Sequence, residues 1–379
     1  MSERPLKMVI AGGGTGGHVL PALAVIEELR RRDRLGDLLW IGSHEGLEGE
    51  AAANAGIPFR AIHTGKLRRY IAAQTAIDVA RIPRGIWEAR QALHQFRPDL
   101  IFSTGGFVSV PTVIAAIRSV PVLTHEQTAI LGLATRINAR FAGVLAVSYE
   151  ATAPAASKLH RRVVVTGNPV RASLASGNAE SGRARWGFST DLPLIYVTGG
   201  ARGASPLNQR VAALLPDLLQ RCQILHQTGP ASANADAADL ERTAALWPAE
   251  LRNRYRVEPF VGDELADVYA AADLILGRAG AGTVAELAYL GKPALLVPLP
   301  GTGGDEQTHN AHLLADAGAA VVLSQTEATP ERLGKELRIL LADRDGLARM
   351  GERARVVGRQ DASARLADEL LALSSLREA

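Results

Sequence analysis

A glycine-rich run near the N-terminus joins a short apolar stretch to a helical pattern. The run is Gly12-Gly-Gly-Thr-Gly-Gly-His18; it follows Met8–Ala11 and leads into apolar residues that recur at helical spacing past Leu23. Glycine lets a backbone approach an anion closely, and a helix N-terminus offers unpaired N–H groups and partial positive charge. The order strand, glycine turn, helix is therefore typical of a phosphate site. A tight turn capped by Thr15, with a packed His18, explains the same residues.

The same order recurs at Tyr196–Ala204, where an apolar run precedes Gly199-Gly-Ala-Arg-Gly203. Short apolar or β-branched runs alternate with helical patterns elsewhere, which predicts βαβ units and parallel sheets. We therefore predict an α/β fold with two Rossmann-like parallel-sheet domains that face a central cleft. The predicted strands are Met8–Ala11, Leu38–Ile41, Leu100–Ser103, Val120–Thr124, Val144–Ser148, Val163–Thr166, Leu194–Thr198, Gln223–His226, Leu274–Leu276, Ala294–Pro298 and Ala320–Leu323.

The length of 379 residues is sufficient for two domains, each with its own core. The predicted N-terminal domain covers residues 1–166 and the C-terminal domain residues 167–345. Residues 346–379 are rich in Ala, Arg and Leu. They are expected to form helices that cross back to the N-terminal domain.

Composition excludes several classes of protein. One cysteine, Cys222, rules out internal disulfides and cysteine-based metal clusters, and its strand-like surroundings predict a buried thiol. A net charge of +3 and 4% aromatic residues argue against nucleic acid as a partner. No apolar run approaches the ~18 residues of a membrane-spanning helix. The protein is expected to stay inside the cell and to contact a membrane without crossing it.

A third strand–glycine–helix element occupies Gly277–Leu287. Its helix N-terminus is suited to a diphosphate, and Glu286 is suited to accept hydrogen bonds from vicinal hydroxyls such as those of ribose. Thr283 and Glu286 are also spaced as a capping box, in which each side chain bonds the backbone of the other. Both interpretations fit the residues.

Two further polar elements follow predicted strands. His125-Glu126-Gln127 lacks the spacing of a zinc site, and Gly304–Asn310 carries side chains suited to sugar hydroxyls or to a solvated turn. Nucleophile-elbow, Walker A and Cys–His motifs are missing from the sequence, which argues against hydrolase, ATPase and thiol-enzyme chemistry.

These elements, in this order, resemble the GT-B glycosyltransferases of family 28. The family member that the chain resembles moves N-acetylglucosamine from UDP-GlcNAc to the C4 hydroxyl of the lipid-linked muramyl-pentapeptide of bacterial cell walls, with inversion. The likeness covers nearly the whole chain. Its motifs are Gly12–Leu23, Gly105–Pro111, His125–Gln127, Gly167–Arg171, Gly199–Gly203, Arg278–Glu286, and Gln307 with Asn310-Ala311.

The resemblance implies roles for individual residues. His18 and Glu126 match catalytic positions, with His18 the candidate base. Glu286 is implied at the ribose, Gln307 at the sugar hydroxyls and the Val261 backbone at uracil. The full set implied to bind substrate is Thr15, Gly16, Gly17, Thr128, Arg171, Ala201, Val261, Arg278, Ala281, Gly282, Thr283, Val284, Ala285, Glu286 and Gln307.

Three positions depart from the family pattern. Thr128 stands where the family has asparagine, Ala201 where it has serine, and Phe107 where it has tyrosine. Loss of one neutral hydrogen bond costs about 0.5–1.5 kcal/mol, which weakens affinity without abolishing the reaction. We hypothesise that Arg202, the neighbour of Ala201, supplies charge in place of the missing serine hydroxyl.

The resemblance also implies partners and location. The partners are UDP-N-acetylglucosamine and an undecaprenyl-pyrophosphoryl-linked acceptor. Apart from the resemblance, composition argues against nucleic acid, and no metal cofactor is expected because the helix start near Gly282 is suited to the charge of the leaving diphosphate. The protein is expected to be peripheral, at the cytoplasmic face of the cell membrane. Apolar residues interleaved with arginines suit a patch against anionic lipid, although an ordinary amphipathic helix has the same pattern. The patch comprises Ile77, Val79, Ile82, Ile86 and Trp87 with Arg68, Arg69, Arg81, Arg84 and Arg90.

Other functions on the same fold fit the sequence less well. They are a GT-B transferase with another lipid or glycan acceptor, a UDP-GlcNAc 2-epimerase-like enzyme, and a catalytically silent scaffold.

Overall fold

The computed structural model describes residues 4–65 and 73–375, with side chains described outside residues 73–80. The chain divides into two compact units, the first running through Arg171 and resuming at Gln360, the second spanning Ala172–Arg359. The sequence placed these boundaries after residues 166 and 345. Residues 167–171 lie with the first unit because His125 Nε2 bonds the Gly167 carbonyl and Ser363 Oγ bonds the Val170 carbonyl.

The sheet of the first unit has seven described strands, all paired in parallel, in the order β3-β2-β1-β4-β5-β6-β7. The order reverses direction between β1 and β4, so the carboxyl ends of these neighbours flank a topological switch point. The strands are β1 (Leu6–Gly12), β2 (Leu35–Ser43), β3 (Phe59–Ile62), β4 (Leu100–Gly105), β5 (Val122–Glu126), β6 (Val144–Val147) and β7 (Val163–Val165).

Helices cover this sheet and close the first unit. Helix α17 packs on α1, and its Leu366 and Leu370 join the core cluster that contains Val25 and Leu29. The helices of this unit are α1 (Gly16–Arg31), α2 (Glu48–Asn54), α3 (Ala73–Phe96), α4 (Val110–Ala115), α5 (Leu133–Asn138), α6 (Ala153–Ser157) and α17 (Ala362–Ser375), with a 3₁₀ turn at Glu150–Thr152.

The second unit repeats the design with six described parallel strands in the order β10-β9-β8-β11-β12-β13. This order has the same reversal, here between β8 and β11. The strands are β8 (Leu194–Thr198), β9 (Gln223–Gln227), β10 (Tyr255–Glu258), β11 (Leu274–Gly277), β12 (Ala294–Leu296) and β13 (Ala320–Val322).

The helices of the second unit pack against its strands and against one another, and they include α16, which contacts α13. Residues 344–357 therefore form part of this unit. The helices are α7 (Ala179–Arg185), α8 (Ser205–Ala212), α9 (Leu215–Leu218), α10 (Asp236–Ala245), α11 (Ala249–Asn253), α12 (Leu265–Ala271), α13 (Ala281–Leu290), α14 (Glu306–Ala315), α15 (Pro330–Ala342) and α16 (Arg344–Val357), after a 3₁₀ turn at Ala172–Ser176.

The predicted α/β class is confirmed, and the sequence missed two strands. These are β3 and β10, each an edge strand of its sheet. Their sequences, Phe-Arg-Ala-Ile and Tyr-Arg-Val-Glu, carry charges because an edge strand is half exposed, so they lack the apolar run of a central strand. Cys222 is buried as predicted. Among the described residues, no helix is both long and apolar enough to cross a membrane.

Helix α17 should stabilise the first unit through its apolar face. We expect Leu370→Ala to lower the free energy of unfolding by about 2–5 kcal/mol, because Leu370 is fully buried and its loss leaves a cavity. Urea denaturation measures the change. Leu246→Ala, at a side chain that is 86% exposed, is the matched control and should change stability by less than about 0.5 kcal/mol. Equal effects of the two substitutions would contradict this packing.

Candidate functional site

The first glycine turn lies at the carboxyl end of β1, beside the switch point of the first sheet. Gly14 adopts a φ of +85°, which favours glycine, and the helix begins at Gly16. Thr15 is the N-cap residue, as the capping interpretation expects, but its side chain makes no capping hydrogen bond. The amides of Gly16 and Gly17 precede the first bonds of the helix, which His18 N and Val19 N donate to the Thr15 carbonyl. This helix start is an anion-binding geometry.

A buried carboxylate that the sequence did not single out holds this turn. Glu48, at the start of α2, is fully buried. Its Oε2 accepts from the Gly14 amide at 2.7 Å, and its Oε1 accepts from the amide and hydroxyl of Ser43 at 2.8 and 2.6 Å. The only sequence signal for it is a carboxylate shortly after β2, the strand next to β1. Charge-assisted bonds of this kind fix the path of the turn.

His18 lies in the first turn of α1, against the carboxyl end of β4. Its Nδ1 is 2.8 Å from the Thr104 carbonyl oxygen and 3.1 Å from Gln127 Oε1. Gly106 leaves room for the ring, since a Cβ there would lie 3.0 Å from His18 Cδ2. The ring is half-buried and held on its Nδ1 side. This arrangement leaves Nε2 as the nitrogen suited to proton transfer.

Glu126 and Thr128 are bonded to each other and to the loop that follows β5. One Glu126 oxygen accepts from the amide and hydroxyl of Thr128, and the other accepts from the Gly132 amide at 2.8 Å. The Thr128 hydroxyl is also 2.5 Å from the Ile130 carbonyl. Glu126 therefore holds the N-terminal end of α5. The expected roles of these two residues with substrate remain predictions.

The second unit places two glycine turns side by side, because β8 and β11 are neighbours in its sheet. Close packing joins them, since a Cβ on Gly277 would lie 2.7 Å from the Thr198 carbonyl oxygen. Gly280 is the N-cap of α13, and Val284 N donates the first helical bond to the Gly280 carbonyl. Gly282 and Thr283 therefore lie in the first turn, whose amides are suited to bind an anion.

Glu286 is not part of a capping box, since the N-cap is Gly280 and not Thr283. Its Oε2 accepts from the Tyr269 hydroxyl at 2.8 Å, and the Tyr269 ring packs edge-on against Tyr196. Burial raises the pKa of Tyr269 well above its ordinary value, and the nearby Glu286 carboxylate raises it further. Tyr269 is thus a neutral donor that fixes the orientation of Glu286.

Arg278 is buried beneath this edge. Its guanidinium donates to the carbonyls of Val297 and Pro298, at 2.9 and 3.1 Å, and to Gln325 Oε1 at 2.6 Å. Burial lowers the pKa of Arg278 from its ordinary value, and nearby Arg210 lowers it further. The guanidinium thus braces the chain after β12.

The remaining predicted residues divide by their surroundings. The Val261 amide donates to Gln227 Oε1 at 2.9 Å, and Gln307 Oε1 accepts from the Leu299 amide at 3.0 Å, so each already holds a neighbouring loop. Val284 and Ala285 are buried, so only their backbone is suited to a ligand, whereas Ala201 is exposed. Ala281 begins α13, and Arg171 is half-buried at the end of the first unit's main segment.

The Glu48 carboxylate should be required for the glycine turn. In Glu48→Gln, the side-chain NH₂ would face either the Gly14 amide or the Ser43 donors. Two hydrogen-bond donors would then point at each other, and at least one hydrogen bond would be lost. We expect a loss of about 1–3 kcal/mol in unfolding free energy, together with lower transferase activity. Chemical denaturation and steady-state kinetics measure the two. Glu50→Gln, at an exposed position of the same helix, is the control; if it matched Glu48→Gln, the brace would be refuted.

Two family models match the chain. The glycosyltransferase family 28 N-terminal domain matches residues 8–147, and the glycosyltransferase family 28 C-terminal domain matches residues 194–366.

Relatives match over most of the chain. The UDP-N-acetylglucosamine–N-acetylmuramyl-(pentapeptide) pyrophosphoryl-undecaprenol N-acetylglucosamine transferase of Thermoanaerobacter sp. (strain X514) is 34% identical, over 95% of this chain and 98% of the relative. The enzyme of the same name from Treponema denticola is 38% identical over 88% of each chain.

Solved structures agree. The crystal structure of Acinetobacter baumannii MurG has a TM-score of 0.72 and 31% identity, covering 96% of this chain and 99% of that one. A putative UDP-N-acetylglucosamine 2-epimerase from Listeria monocytogenes, with a TM-score of 0.68 and 15% identity over 98% and 96% of the two chains, shares only the fold. The chain therefore belongs to glycosyltransferase family 28 and, within it, to the MurG group of GT-B hexosyltransferases.

Proposed function

We propose that this protein transfers N-acetylglucosamine from UDP-GlcNAc to the C4 hydroxyl of undecaprenyl-pyrophosphoryl-linked N-acetylmuramyl-pentapeptide. The observation that carries the proposal is the 34% identity to a transferase of that name over 95% of this chain, which includes both units. The geometry supports it, since each unit presents helix starts that follow glycine turns and are suited to phosphate groups.

The second unit is proposed to bind the donor. The start of α13 is suited to the diphosphate, and Glu286, oriented by Tyr269, is suited to the ribose hydroxyls. As UDP leaves, negative charge grows on its β-phosphate. The amides of Gly282 and Thr283 are preorganised to stabilise that charge, so the proposed mechanism assigns this task to the helix start and includes no metal cofactor.

The first unit is proposed to bind the acceptor, with its pyrophosphate at the turn before α1. His18 Nε2 takes the proton of the C4 hydroxyl as that oxygen bonds to the anomeric carbon of the donor. The bond from this carbon to the β-phosphate oxygen breaks, and its electron pair leaves with UDP. Attack opposite the leaving group inverts the anomeric configuration.

Removal of the base should slow the chemical step. We expect His18→Ala to lower kcat by about 10²-fold or more, because general base catalysis is worth 10²–10⁴-fold. The measurement follows labelled sugar from UDP-GlcNAc to a lipid-linked muramyl-pentapeptide analogue, and also quantifies free UDP and any epimer. His312→Ala, at an exposed histidine of α14, is the control. Turnover near that of the native protein in His18→Ala would remove His18 from the mechanism.

A lipid-linked acceptor requires contact with the membrane surface, and the first unit offers apolar surface near its glycine turn. The Phe107 ring lies against Gly14, since a Cβ there would be 3.3 Å from Phe107 Cε1. Phe107 also borders an apolar cavity of about 190 Å³. That cavity is lined by Gly65, Ile82, Phe107, Val110, Pro111, Leu133, Ala134 and Ile137.

Part of the predicted lipid-facing patch lies outside the described residues. These are Arg68 and Arg69, together with the side chains of Ile77 and Val79. In the described part of α3, Trp87 is 59% exposed and Arg81, Arg84 and Arg90 are exposed. An exposed aromatic ring among arginines supports contact with anionic lipid, and we place this contact at the cytoplasmic face of the cell membrane.

This contact can be tested with vesicles of phosphatidylglycerol and phosphatidylethanolamine. We expect Trp87→Ala to weaken binding severalfold, and binding of the native protein to fall with added salt, because both apolar burial and charge contribute. Sedimentation with the vesicles measures both effects. Leu246→Ala, at an exposed leucine of the second unit, should bind like the native protein. Binding that is indifferent to salt and to acidic lipid would refute the patch.

A further inference from the structure

Four polar groups form a continuous hydrogen-bonded chain from the end of β7 to His18. His125 Nε2 is 3.1 Å from the Gly167 carbonyl oxygen, and His125 Nδ1 is 3.1 Å from Gln127 Nε2. Gln127 Oε1 is in turn 3.1 Å from His18 Nδ1. His125 and Gln127 are 0% and 1% exposed, so water does not compete for these bonds.

Backbone carbonyls fix every donor and acceptor in this chain, because a carbonyl oxygen only accepts. The His125 carbonyl lies 3.1 Å from the Gln127 amide nitrogen, so that nitrogen and not the oxygen faces His125. Gln127 Oε1 therefore points to His18. The Thr104 carbonyl lies 2.8 Å from His18 Nδ1, so this nitrogen carries the proton and shares it between two oxygens.

The state of His125 agrees with this assignment. Its Nε2 faces the Gly167 carbonyl and carries a proton, so its Nδ1 must be bare in order to accept from Gln127. Burial lowers the pKa of His125 to about 4, which keeps the ring neutral and Nδ1 unprotonated at neutral pH.

We propose that Gln127, anchored by His125, is a positioning residue that acts with the Thr104 carbonyl to hold His18 as the Nδ1–H tautomer with Nε2 bare. The hydrogen bond at one ring nitrogen decides which nitrogen is free for chemistry. When Nε2 takes a proton, the imidazolium charge is stabilised through Nδ1–H by both oxygens. The catalytic part of this inference rests on the proposed role of His18, whereas the tautomer does not.

The tautomer can be read directly. Protein labelled with ¹⁵N at the histidine rings is studied by long-range ¹H–¹⁵N correlation at neutral pH, and His18 is assigned by the signal that is missing in His18→Ala. We expect a protonated Nδ1 and a bare Nε2 in the native protein. A protonated Nε2 in the neutral ring would overturn the proposal.

Substitution of Gln127 separates positioning from packing. Gln127→Met keeps length and volume but removes the Oε1 acceptor. We expect the two His18 ¹⁵N signals to shift toward each other as the second tautomer becomes populated. We expect kcat to fall by about tenfold or more, with the KM for UDP-GlcNAc changed less than twofold, since a bond to a developing charge is lost. His18 signals identical to those of the native protein would overturn the proposal.

A control and the remaining outcome complete the test. Thr124→Val changes a buried hydroxyl of the same strand that bonds Ser103 and not this chain, and should alter neither signals nor kcat. If Thr124→Val shifted the His18 signals equally, general strand packing would explain the effect and the proposal would fail. If Gln127→Met shifted the signals without lowering kcat, the positioning of the ring would be supported and its contribution to catalysis would be refuted, whereas the role of His18 as base is tested separately by His18→Ala.

Discussion

Parallel pairing of strands is the constraint on which the candidate site depends. It brings each strand-to-helix turn of a unit to one edge of its sheet, so residues far apart in the sequence meet there. In the first unit, β1 and β4 are neighbours, which places His18 of α1 against the Thr104 carbonyl. In the second unit, β8 and β11 are neighbours, which places the turn at Gly199–Gly203 beside the start of α13. The chemistry of each unit follows from this register.

Most of the fold could be predicted because central parallel strands are apolar on both faces and appear as short uninterrupted runs. The edge strands β3 and β10 could not, because half of each is exposed and carries arginine or glutamate. The glycine turns could also be predicted, since Gly14 has a positive φ and Gly106 sits against the His18 ring. A positive φ or a close contact requires glycine, so such positions can be recognised in the sequence.

The hydrogen-bond partners of the site residues cannot be recognised in the sequence, because they lie far away along the chain. Glu48 meets Gly14 across 34 positions, Thr104 meets His18 across 86, and Gln127 meets His18 across 109. No local pattern distinguishes Glu48 from Glu50, the other carboxylate of α2, and only the packing of β2 beside β1 selects it. Thr283 and Glu286 have the spacing of a capping box, but the N-cap of α13 is Gly280, three residues before Thr283. The three-residue spacing is thus necessary for a capping box, but it does not by itself show that one forms.

His125 and His18 belong to one hydrogen-bonded chain but have different roles, because they differ in burial and in hydrogen-bond partners. His125 is fully buried with a partner at each ring nitrogen, so burial keeps it neutral and it works as a fixed spacer between Gly167 and Gln127. His18 is only half-buried, and the hydrogen bonds of its ring to the described residues are all made through Nδ1. Because Nδ1 already carries a proton, any further proton on His18 binds to Nε2. The resulting positive charge is stabilised through Nδ1–H by the Thr104 carbonyl oxygen and by Gln127 Oε1. A charged His125 would turn its Nδ1 into a donor that opposes the Gln127 amide, so the neutrality of the buried ring is what keeps the accepting oxygen of Gln127 aimed at His18.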